Sequence, residues 1–279
     1  MQGTTLCLTG NEATVAALEA RISASPVASP AGEILQEIRL DALTTIDASV
    51  FSLLERVAPQ AIVTCRPPSE GGAFMGDERE RLQILARAAR LGVAWIDLEL
   101  AAVEAGGLPG ALVPGAAAKA RRLVSAHVFE EDPGAIGPLV ARLNQVPAEG
   151  AKLAVSVRGA GDLLTLMDAG LSHPLRVVLG MGAAGQISRL RPSAFGSQWT
   201  YVSLRPENAT APGQLDLASA RGARVLEHAS LMPMALIGGP SVLRSPGPRV
   251  YNALFSRLGL PYQYLACAAD SFEEALALG

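Results

Sequence analysis

Lysine is nearly absent from this chain, and one lysine occurs where a charged residue is least expected. The 23 basic residues include only two lysines, Lys119 and Lys152. Lys119 lies in the polar stretch GAAAKARRL, whereas Lys152 opens the apolar run KLAVSV, which should be buried. A neutral lysine amine can attack a ketone and form an iminium ion, and burial or neighbouring cations favour the neutral amine. Arginine cannot do this chemistry, because its guanidinium stays protonated.

His127, in the stretch SAHVF, supplies the second group that such chemistry needs. An imidazole changes charge near neutral pH, so it is the natural general base beside such a lysine. A lone histidine is more often a hydrogen-bonded core residue than a base. The position of His127 at the end of a β-like run favours the catalytic interpretation.

Short β-like runs alternate with helix-like stretches and would position these groups. The runs span Thr4–Thr9, Ile34–Asp41, Ala61–Arg66, Ala94–Leu100, Arg122–Phe129, Lys152–Val157, Leu175–Met181 and Gln198–Leu204. Several are almost continuously apolar, as is typical of strands that are covered on both faces. Eight βα units predict an α/β fold, a (β/α)8 TIM barrel, with a doubly wound sheet as the alternative.

Charged side chains gather near the carboxyl ends of these runs. They are Arg39, Asp41, Arg66, Asp97, Glu99 and His127. In a barrel these ends meet on one face, where active sites are built. Because several of the charges lie inside apolar runs, where unpaired burial is costly, a shared site explains them better than scattered surface positions do.

Composition argues against several other classes of function. The 279 residues carry a net charge of −3 without a basic stripe, so we expect no nucleic-acid partner. Cys7, Cys65 and Cys267 are odd in number and far apart, which fits a reducing compartment better than a disulfide framework. The first residues lack a basic segment and a long apolar core, so we expect no signal peptide, and no apolar run approaches the ~18–20 residues of a membrane span. We therefore expect a cytoplasmic protein without a membrane partner, and a homodimer stays open.

The stretch GMGAAG at 180–185 has the spacing of a dinucleotide-binding loop. However, Pro192 would cut the following helix short, and the motif comes after six β units instead of opening a domain. The loops after the last two strands of a TIM barrel commonly hold an anion. The backbone N–H groups here, together with Arg189, are therefore predicted to bind a carboxylate or phosphate.

Seven short motifs follow one another along the chain. They are EIRLD (37–41), CRPPSEGG (65–72), IDLEL (96–100), SAHVF (125–129), KLAV (152–155), MGAAGQISR (181–189) and ATAPGQ (209–214). Each motif is weak alone, but the ordered series closely resembles the type I 3-dehydroquinate dehydratases of the shikimate pathway. The resemblance implies a TIM barrel and a lyase that converts 3-dehydroquinate to 3-dehydroshikimate by syn elimination of water. It implies neither a metal nor a nucleotide cofactor.

The resemblance also implies roles for individual residues. Lys152 would form the imine with the C3 ketone, His127 would carry the C2 proton to the departing C1 hydroxyl, and Glu70 would polarise His127. The implied substrate-binding residues are Glu37, Arg39, Arg66, Met181, Arg189, Thr210 and Gln214. Glu37, Arg39 and Arg66 would contact hydroxyls, and Met181 would line the pocket. Arg189, Thr210 and Gln214 would hold the carboxylate. Asp41, Asp97 and Glu99 either hold the cationic residues in place or are purely structural.

Two positions depart from the usual pattern of the family. Val128 follows His127 where an acidic residue is frequent, and we expect activity to survive because Glu70 is present. Thr210 replaces the usual serine, so the hydroxyl is kept and a methyl group is added.

The pattern of the sequence changes after Leu217. Residues 218–233 predict a closing helix that Pro233 ends, and residues 236–267 resemble the opening of shikimate dehydrogenase. We therefore divide the chain into a dehydratase-like barrel, 1–233, and a truncated shikimate-dehydrogenase-like αβ extension, 234–279. No dehydrogenase activity is expected. The extension is either vestigial or part of a longer bifunctional protein.

Two other functions stay compatible with the sequence. One is another Schiff-base lyase of the class I aldolase type, against which the carboxylate-binding set around Arg189 and Gln214 argues. The other is a catalytically silent barrel with a binding or regulatory role. The retained pair of Lys152 and His127 argues against a silent barrel, because such a protein has no physical reason to keep both.

Overall fold

The computed structural model describes residues 5–25, 34–113, 119–129, 136–269 and 271–277. Nine strands in this part of the chain form one curled, parallel sheet in the order β7-β6-β5-β4-β3-β2-β1-β8-β9. They are β1 (Thr5–Thr9), β2 (Leu35–Arg39), β3 (Ala61–Thr64), β4 (Trp95–Glu99), β5 (Arg121–Val128), β6 (Gly150–Ser156), β7 (Leu175–Met181), β8 (Trp199–Ser203) and β9 (Leu215–Asp216). Thr4, assigned to the first strand by its pattern, lies outside the described residues.

The first eight strands curl until β8 faces β7, and the seam between these two strands is bridged largely by side chains. The Ser197 hydroxyl accepts from the Val178 N–H (2.7 Å) and donates to the Val178 carbonyl (3.1 Å). One backbone bond, from Gln198 N to Arg176 O (3.0 Å), also crosses the seam. The sequential strand order lacks the reversal that a doubly wound sheet requires. The predicted parallel barrel architecture is confirmed, with the difference that no regular ladder joins β7 to β8.

The connecting helices cover the outside of the sheet. They are α1 (Val15–Ala24), α2 (Ala48–Val57), α3 (Glu78–Arg90), α4 (Leu100–Ala105), α5 (Ile136–Gln145), α6 (Ala160–Met167), α7 (Gln186–Leu190) and α8 (Leu217–Gly222). In α3, the Asp77 side chain caps the first turn by accepting from Glu80 N, and Leu82, Leu85 and Ala89 are buried against the sheet. None of the described helices is both long and apolar enough to cross a membrane.

Large apolar side chains fill the amino-terminal end of the barrel interior. Trp95 and Trp199, each the first residue of its strand, pack with their ring centroids 5.6 Å apart. Leu123 and Val177 belong to the same buried cluster. Because inward-facing positions recur every second residue of a strand, the next inward positions lie higher in the barrel. Those positions carry the polar groups of the site.

A small αβ extension follows the barrel. It consists of β10 (Met232–Gly238), α9 (Gly247–Arg257), β11 (Tyr262–Ala268) and α10 (Phe272–Ala277). The two strands pair in parallel, from Met232 opposite Tyr262 to Gly238 opposite Ala268. Cys267 joins the apolar cluster that contains Leu163 of α6, so the extension packs directly on the barrel.

The predicted closing helix over 218–233 is wrong. Helix α8 ends at Gly222, and a 3-10 helix over Val225–Ser230 follows. Between them Arg224 adopts a left-handed conformation with φ 60°, which interrupts the α-helix. The Arg224 guanidinium donates to the carbonyls of Leu260 (2.7 Å) and Tyr262 (2.9 Å) in the extension. These tertiary contacts outweigh local helix propensity.

Candidate active site

One cleft lies at the carboxyl ends of the barrel strands. All ten residues to which the sequence analysis gives a catalytic or substrate-binding role line it, whereas Asp41, Asp97 and Glu99 do not. The ten are Glu37, Arg39, Arg66, Glu70, His127, Lys152, Met181, Arg189, Thr210 and Gln214. The cleft is also lined by Gly71, Phe129, Ala154, Leu179, Tyr201, Ala211 and Pro212.

Strand alternation explains how residues so distant in sequence meet. Glu37 and Arg39 lie two residues apart on β2, and Lys152 and Ala154 do so on β6. Since side chains two apart share a face of a strand, each pair points into the barrel at successive heights. Because the strands are parallel, the inward side chains near their carboxyl ends meet at one end of the barrel.

Lys152 is buried, with 5% of its surface exposed, and its amine lies inside the barrel. It is the third residue of β6 and not the first, because the strand begins at Gly150. Lys152 Nζ donates to Asp97 Oδ2 at 2.9 Å and lies 4.7 Å from the centroid of the Tyr201 ring. The amine is therefore anchored by one carboxylate and one aromatic face.

Asp97 links two cationic side chains of the cleft through hydrogen bonds. It is fully buried and accepts from Lys152 Nζ (2.9 Å), Arg66 Nη2 (2.8 Å) and Ser125 Oγ (2.5 Å). Burial alone would raise the Asp97 pKa, but the charges of Arg66 and Lys152 and the hydrogen bond from Lys152 outweigh it and hold that pKa well below its usual range. Asp97 is therefore an anion that holds two cations in place.

His127 lies between a carboxylate and a guanidinium. Its Nδ1 is 3.0 Å from Glu70 Oε2, and Arg66 Nη1 lies 2.7 Å from Nδ1 and 3.0 Å from Nε2. Burial first, then Arg66 and Lys152, hold the His127 pKa well below its usual value. The ring is therefore neutral at physiological pH. An ionised Glu70 can only accept, which assigns the proton to Nδ1 and makes Nε2 the unprotonated nitrogen, which accepts from Arg66 Nη1 at 3.0 Å.

Glu70 can change its charge near neutral pH. Burial first, and then the charge of Glu99, raise the pKa of Glu70 to about 7. The next residue, Gly71, has φ +75°, and a Cβ there would lie 2.6 Å from the ring of Phe129. Glycine at this position therefore lets the loop bring Glu70 close to His127.

Arg189 lies at the other end of the cleft as a buried cation without a carboxylate partner among the residues that the structure describes. It is 2% exposed, and its Nε makes no hydrogen bond there. Burial lowers the pKa of Arg189 to about 10. An uncompensated buried cation is costly, and a carboxylate on a ligand would remove that cost.

The glycines of GMGAAG serve close packing. A Cβ on Gly185 would lie 2.4 Å from the carbonyl carbon of Gly180. Gly213, with φ +74°, leaves no room for a Cβ either, because Gly182 O would lie 2.1 Å away. The helix that follows, α7, is only five residues long, as the position of Pro192 predicted. The motif thus brings two loops together around Arg189.

The remaining polar groups have fixed partners. Glu37 accepts from Thr64 Oγ1 (3.0 Å) and from the hydroxyl of Thr9. Arg39 donates to both carboxylate oxygens of Asp41, at 2.9 and 2.6 Å. Separately, Gln214 Oε1 accepts from Thr210 N (2.5 Å) and Thr210 Oγ1 (3.2 Å). These contacts orient each polar side chain before any ligand binds.

Three residues that contribute to the site were not predicted from the sequence. Ser125 stands two residues before His127 and Tyr201 two residues after Trp199, so strand periodicity could have found both. Arg81 of α3 is 1% exposed and donates to Glu99 Oε2 at 2.6 Å beneath the cleft. Nothing in the sequence of a charged amphipathic helix indicates that this arginine is buried.

A parallel barrel that brings a buried lysine, a neutral histidine and an arginine to one cleft defines a barrel lyase. Residues 13–230 match the family described as type I 3-dehydroquinase, and the chain belongs to that family. The 3-dehydroquinate dehydratase of Desulfotalea psychrophila is 33% identical over 196 residues, which cover 67% of this chain and 84% of the relative.

The fold of this chain is also similar to that of several solved structures. The type I 3-dehydroquinate dehydratase of Clostridium difficile matches with a TM-score of 0.66 at 19% identity, over 81% of this chain and 92% of that one. A dehydroquinate dehydratase and shikimate dehydrogenase from S. pombe matches with a TM-score of 0.63 at 22% identity. That match covers 99% of this chain and 54% of the S. pombe chain, so this chain spans about half of that protein's length. At these identities the structural likeness concerns the fold alone.

Proposed function

We propose that this protein converts 3-dehydroquinate to 3-dehydroshikimate by eliminating water through a Schiff base on Lys152. Dehydration of 3-dehydroquinate is the activity of the family to which the chain belongs. One observation carries the assignment of residues. The buried amine of Lys152, the neutral ring of His127 and the guanidinium of Arg189 line the same cleft.

Substrate binding would be divided between the two ends of the cleft. Arg189 would form a bidentate pair with the substrate carboxylate, which neutralises the buried cation. Gln214 and Thr210, already bonded to each other, would complete this end. At the other end Arg39 and Glu37 would bind ring hydroxyls, together with Arg66. Two fixed ends set the register of the ring, so the C3 ketone would face Lys152 Nζ.

Imine formation begins with attack of the Lys152 nitrogen on the C3 carbonyl carbon. In passing from ammonium to iminium the Lys152 nitrogen gives up two protons, the first of which frees the lone pair for attack. Both protons go to the carbonyl oxygen, which leaves as water, and a C=N bond replaces the C=O bond. The resulting iminium carries a positive charge next to Asp97, whose carboxylate lies 2.9 Å from Nζ. Asp97 would therefore stabilise the iminium as it forms.

Elimination would use His127 twice. The iminium withdraws electrons from C2, and His127 Nε2 takes the C2 proton, which leaves an enamine. The enamine electrons then expel the C1 hydroxyl, to which His127 returns the same proton, so that water departs and the C1–C2 double bond forms. Glu70, 3.0 Å from Nδ1, stabilises the imidazolium between the two transfers. Hydrolysis of the imine releases 3-dehydroshikimate and restores the amine.

We propose that the chain divides at residue 233, two residues into β10, and the separation of the two sheets supports a boundary in this region. Residues 1–233 would form the dehydratase unit and 234–279 a unit similar to the start of shikimate dehydrogenase. In support, every residue assigned to the chemistry precedes 233, and β10 and β11 pair only with each other among the described strands. The second unit alone offers no assigned catalytic group.

Two features separate the dehydratase from its rivals. A class I aldolase that acts on other ketones does not require an arginine held ready for a carboxylate, whereas Arg189 is buried and lacks a carboxylate partner among the residues described. A silent barrel has no need for a neutral histidine within a buried charge cluster, because each such group costs stability. Both features favour the dehydratase.

The direct test adds 3-dehydroquinate to the purified protein and follows the ultraviolet absorbance of the conjugated enoic acid. We expect turnover by the wild-type chain and by Lys119→Arg, and none by Lys152→Arg. Lys119 is exposed and lies outside the cleft, so its variant controls for the loss of a lysine. Full activity of Lys152→Arg would contradict the proposed mechanism, and inactivity of all three proteins would contradict the proposed reaction.

A further inference from the structure

The short helix α7 carries Arg189 and cannot hold its own position. Five residues close too few backbone hydrogen bonds to be stable alone. On the barrel side, Ser188 Oγ accepts from Gly180 N (2.7 Å) and donates to Gly185 O (2.7 Å). This contact fixes the inner side of α7 and leaves its carboxyl end to be held by something else.

The αβ extension holds that carboxyl end through Gln263 of β11. The Gln263 side chain is fully buried, and its Nε2 donates to Ala223 O (2.7 Å) and to Leu190 O (3.3 Å). Its Oε1 accepts from Arg191 Nη1 at 2.9 Å. One amide therefore binds the two residues that directly follow Arg189.

We propose that Gln263 is a positioning residue for the carboxylate-binding Arg189, and hence that the extension helps to set the affinity for substrate. The proposal rests on the assignment of Arg189 to the substrate carboxylate. A buried guanidinium without a carboxylate partner among the described residues tends to move towards water, and the anchor at Leu190 and Arg191 opposes that movement. A displacement of about 1 Å is enough to weaken a bidentate pair.

The test replaces the Gln263 amide without shortening the side chain. In Gln263→Met the three contacts are lost, and we expect KM for 3-dehydroquinate to rise about threefold to tenfold while kcat stays within about twofold. Gln263→Glu is the second variant, because it keeps an acceptor for Arg191 and loses the donors to the two carbonyls. We expect a smaller rise of KM in the same direction.

Asn252 supplies the matched control. It is 1% exposed, and its side chain bonds both backbone groups of Tyr264 within the extension, at 2.7 and 2.8 Å. Asn252→Leu should lower the Tm as Gln263→Met does, but should leave KM unchanged. Equal changes of KM in both variants, or no change in either Gln263 variant, would overturn the positioning role.

Arg189→Lys separates this inference from the proposed function. If Arg189 binds the carboxylate, Arg189→Lys raises KM, and Gln263→Met in that background raises it no further. If Arg189→Lys leaves KM unchanged, the carboxylate assignment fails, whatever Gln263 does. If Arg189→Lys raises KM and the Gln263 variants do not, the carboxylate assignment stands and the positioning role is wrong.

Discussion

Lys152 has a chemical test that few proteins allow, because the chain contains only one other lysine. Borohydride reduces an iminium to a stable secondary amine, so incubation with substrate or product should fix a ligand on the protein. We expect the adduct on the peptide that contains Lys152 and not on the one that contains Lys119, as measured by mass spectrometry. Lys152→Arg should abolish trapping while the far-ultraviolet circular dichroism stays that of the wild type. An adduct on Lys119 would contradict the mechanism.

His127 should separate imine formation from elimination. His127→Ala leaves the amine in place, so borohydride should still trap a ligand on Lys152. Turnover should fall by about 10²–10⁴-fold, because no other group takes the C2 proton. Single-turnover absorbance with parallel trapping measures both steps. Equal loss of trapping and turnover would show that His127 is needed before the imine forms.

The pH dependence of catalysis should follow Glu70. Because its pKa is raised to about 7, Glu70 is ionised above that pH and protonated below it. Protonation removes the acceptor for His127 Nδ1–H, so kcat/KM should fall as the pH drops below about 7. Glu70→Gln should be slower at every pH and should lack this acid limb, since the His127 pKa lies well below 6.5. An identical acid limb in both proteins would assign it to another group.

At the scale of elements, α3 supports the cleft through a single buried arginine. Arg81 donates to Glu99 Oε2 (2.6 Å) and to Cys65 O (2.6 Å), directly before Arg66. Glu99 Oε1 has no hydrogen-bond partner in the described part of the chain and lies 4.0 Å from Arg66. Without Arg81, the charge of Glu99 would compete with Asp97 for Arg66.

We therefore expect Arg81→Met to lower the free energy of unfolding by about 3–5 kcal/mol, as loss of one partner of a buried ion pair does. The acid limb of kcat/KM should also move to higher pH, because Glu99 raises the pKa of Glu70. Urea denaturation and a pH profile measure the two effects. Arg90→Met, on an exposed position of the same helix, is the control and should change neither. A stability loss without a shifted limb would restrict Arg81 to a structural role.

The elements that the sequence predicts well are those whose pattern reflects local burial. The run Leu175–Met181 is predicted with the bounds of β7. The position of Arg39, Arg66 and His127 at strand ends also predicted that they share one face, and all three line the cleft, because parallel strands leave little choice about where their carboxyl ends meet.

Features that depend on tertiary contacts could not be predicted. The left-handed Arg224 is set by carbonyls of Leu260 and Tyr262, some 36 residues away in sequence. Arg81 is buried by Glu99 and Cys65, to which no sequence spacing links it. Local propensity carries no information about such partners.

At the scale of the whole molecule, different parts of the chain support the two ends of the cleft. A row of alternating charges crosses the barrel from Glu78 at the surface through Arg81, Glu99, Arg66 and Asp97 to the Lys152 amine. The end of the cleft that contains Arg189 depends instead on closely packed glycines and on the αβ extension. We infer that the chemistry and the affinity for substrate can be perturbed separately, since few contacts are shared.

The seam between β7 and β8 gives a test of the barrel itself. Ser197 is 5% exposed, and its hydroxyl is the partner of both the N–H and the carbonyl of Val178. Ser197→Ala would leave these buried groups without that partner, so we expect the free energy of unfolding to fall by about 1–3 kcal/mol. At 25 °C, kcat and KM should stay within about twofold, because Ser197 does not line the cleft. Ser52→Ala, on an exposed position of α2, is the control and should change stability by less than about 0.5 kcal/mol in urea denaturation. Equal stability of both variants would mean that the seam closes without the Ser197 bridge, and that the hydrogen bond from Gln198 to Arg176 is sufficient.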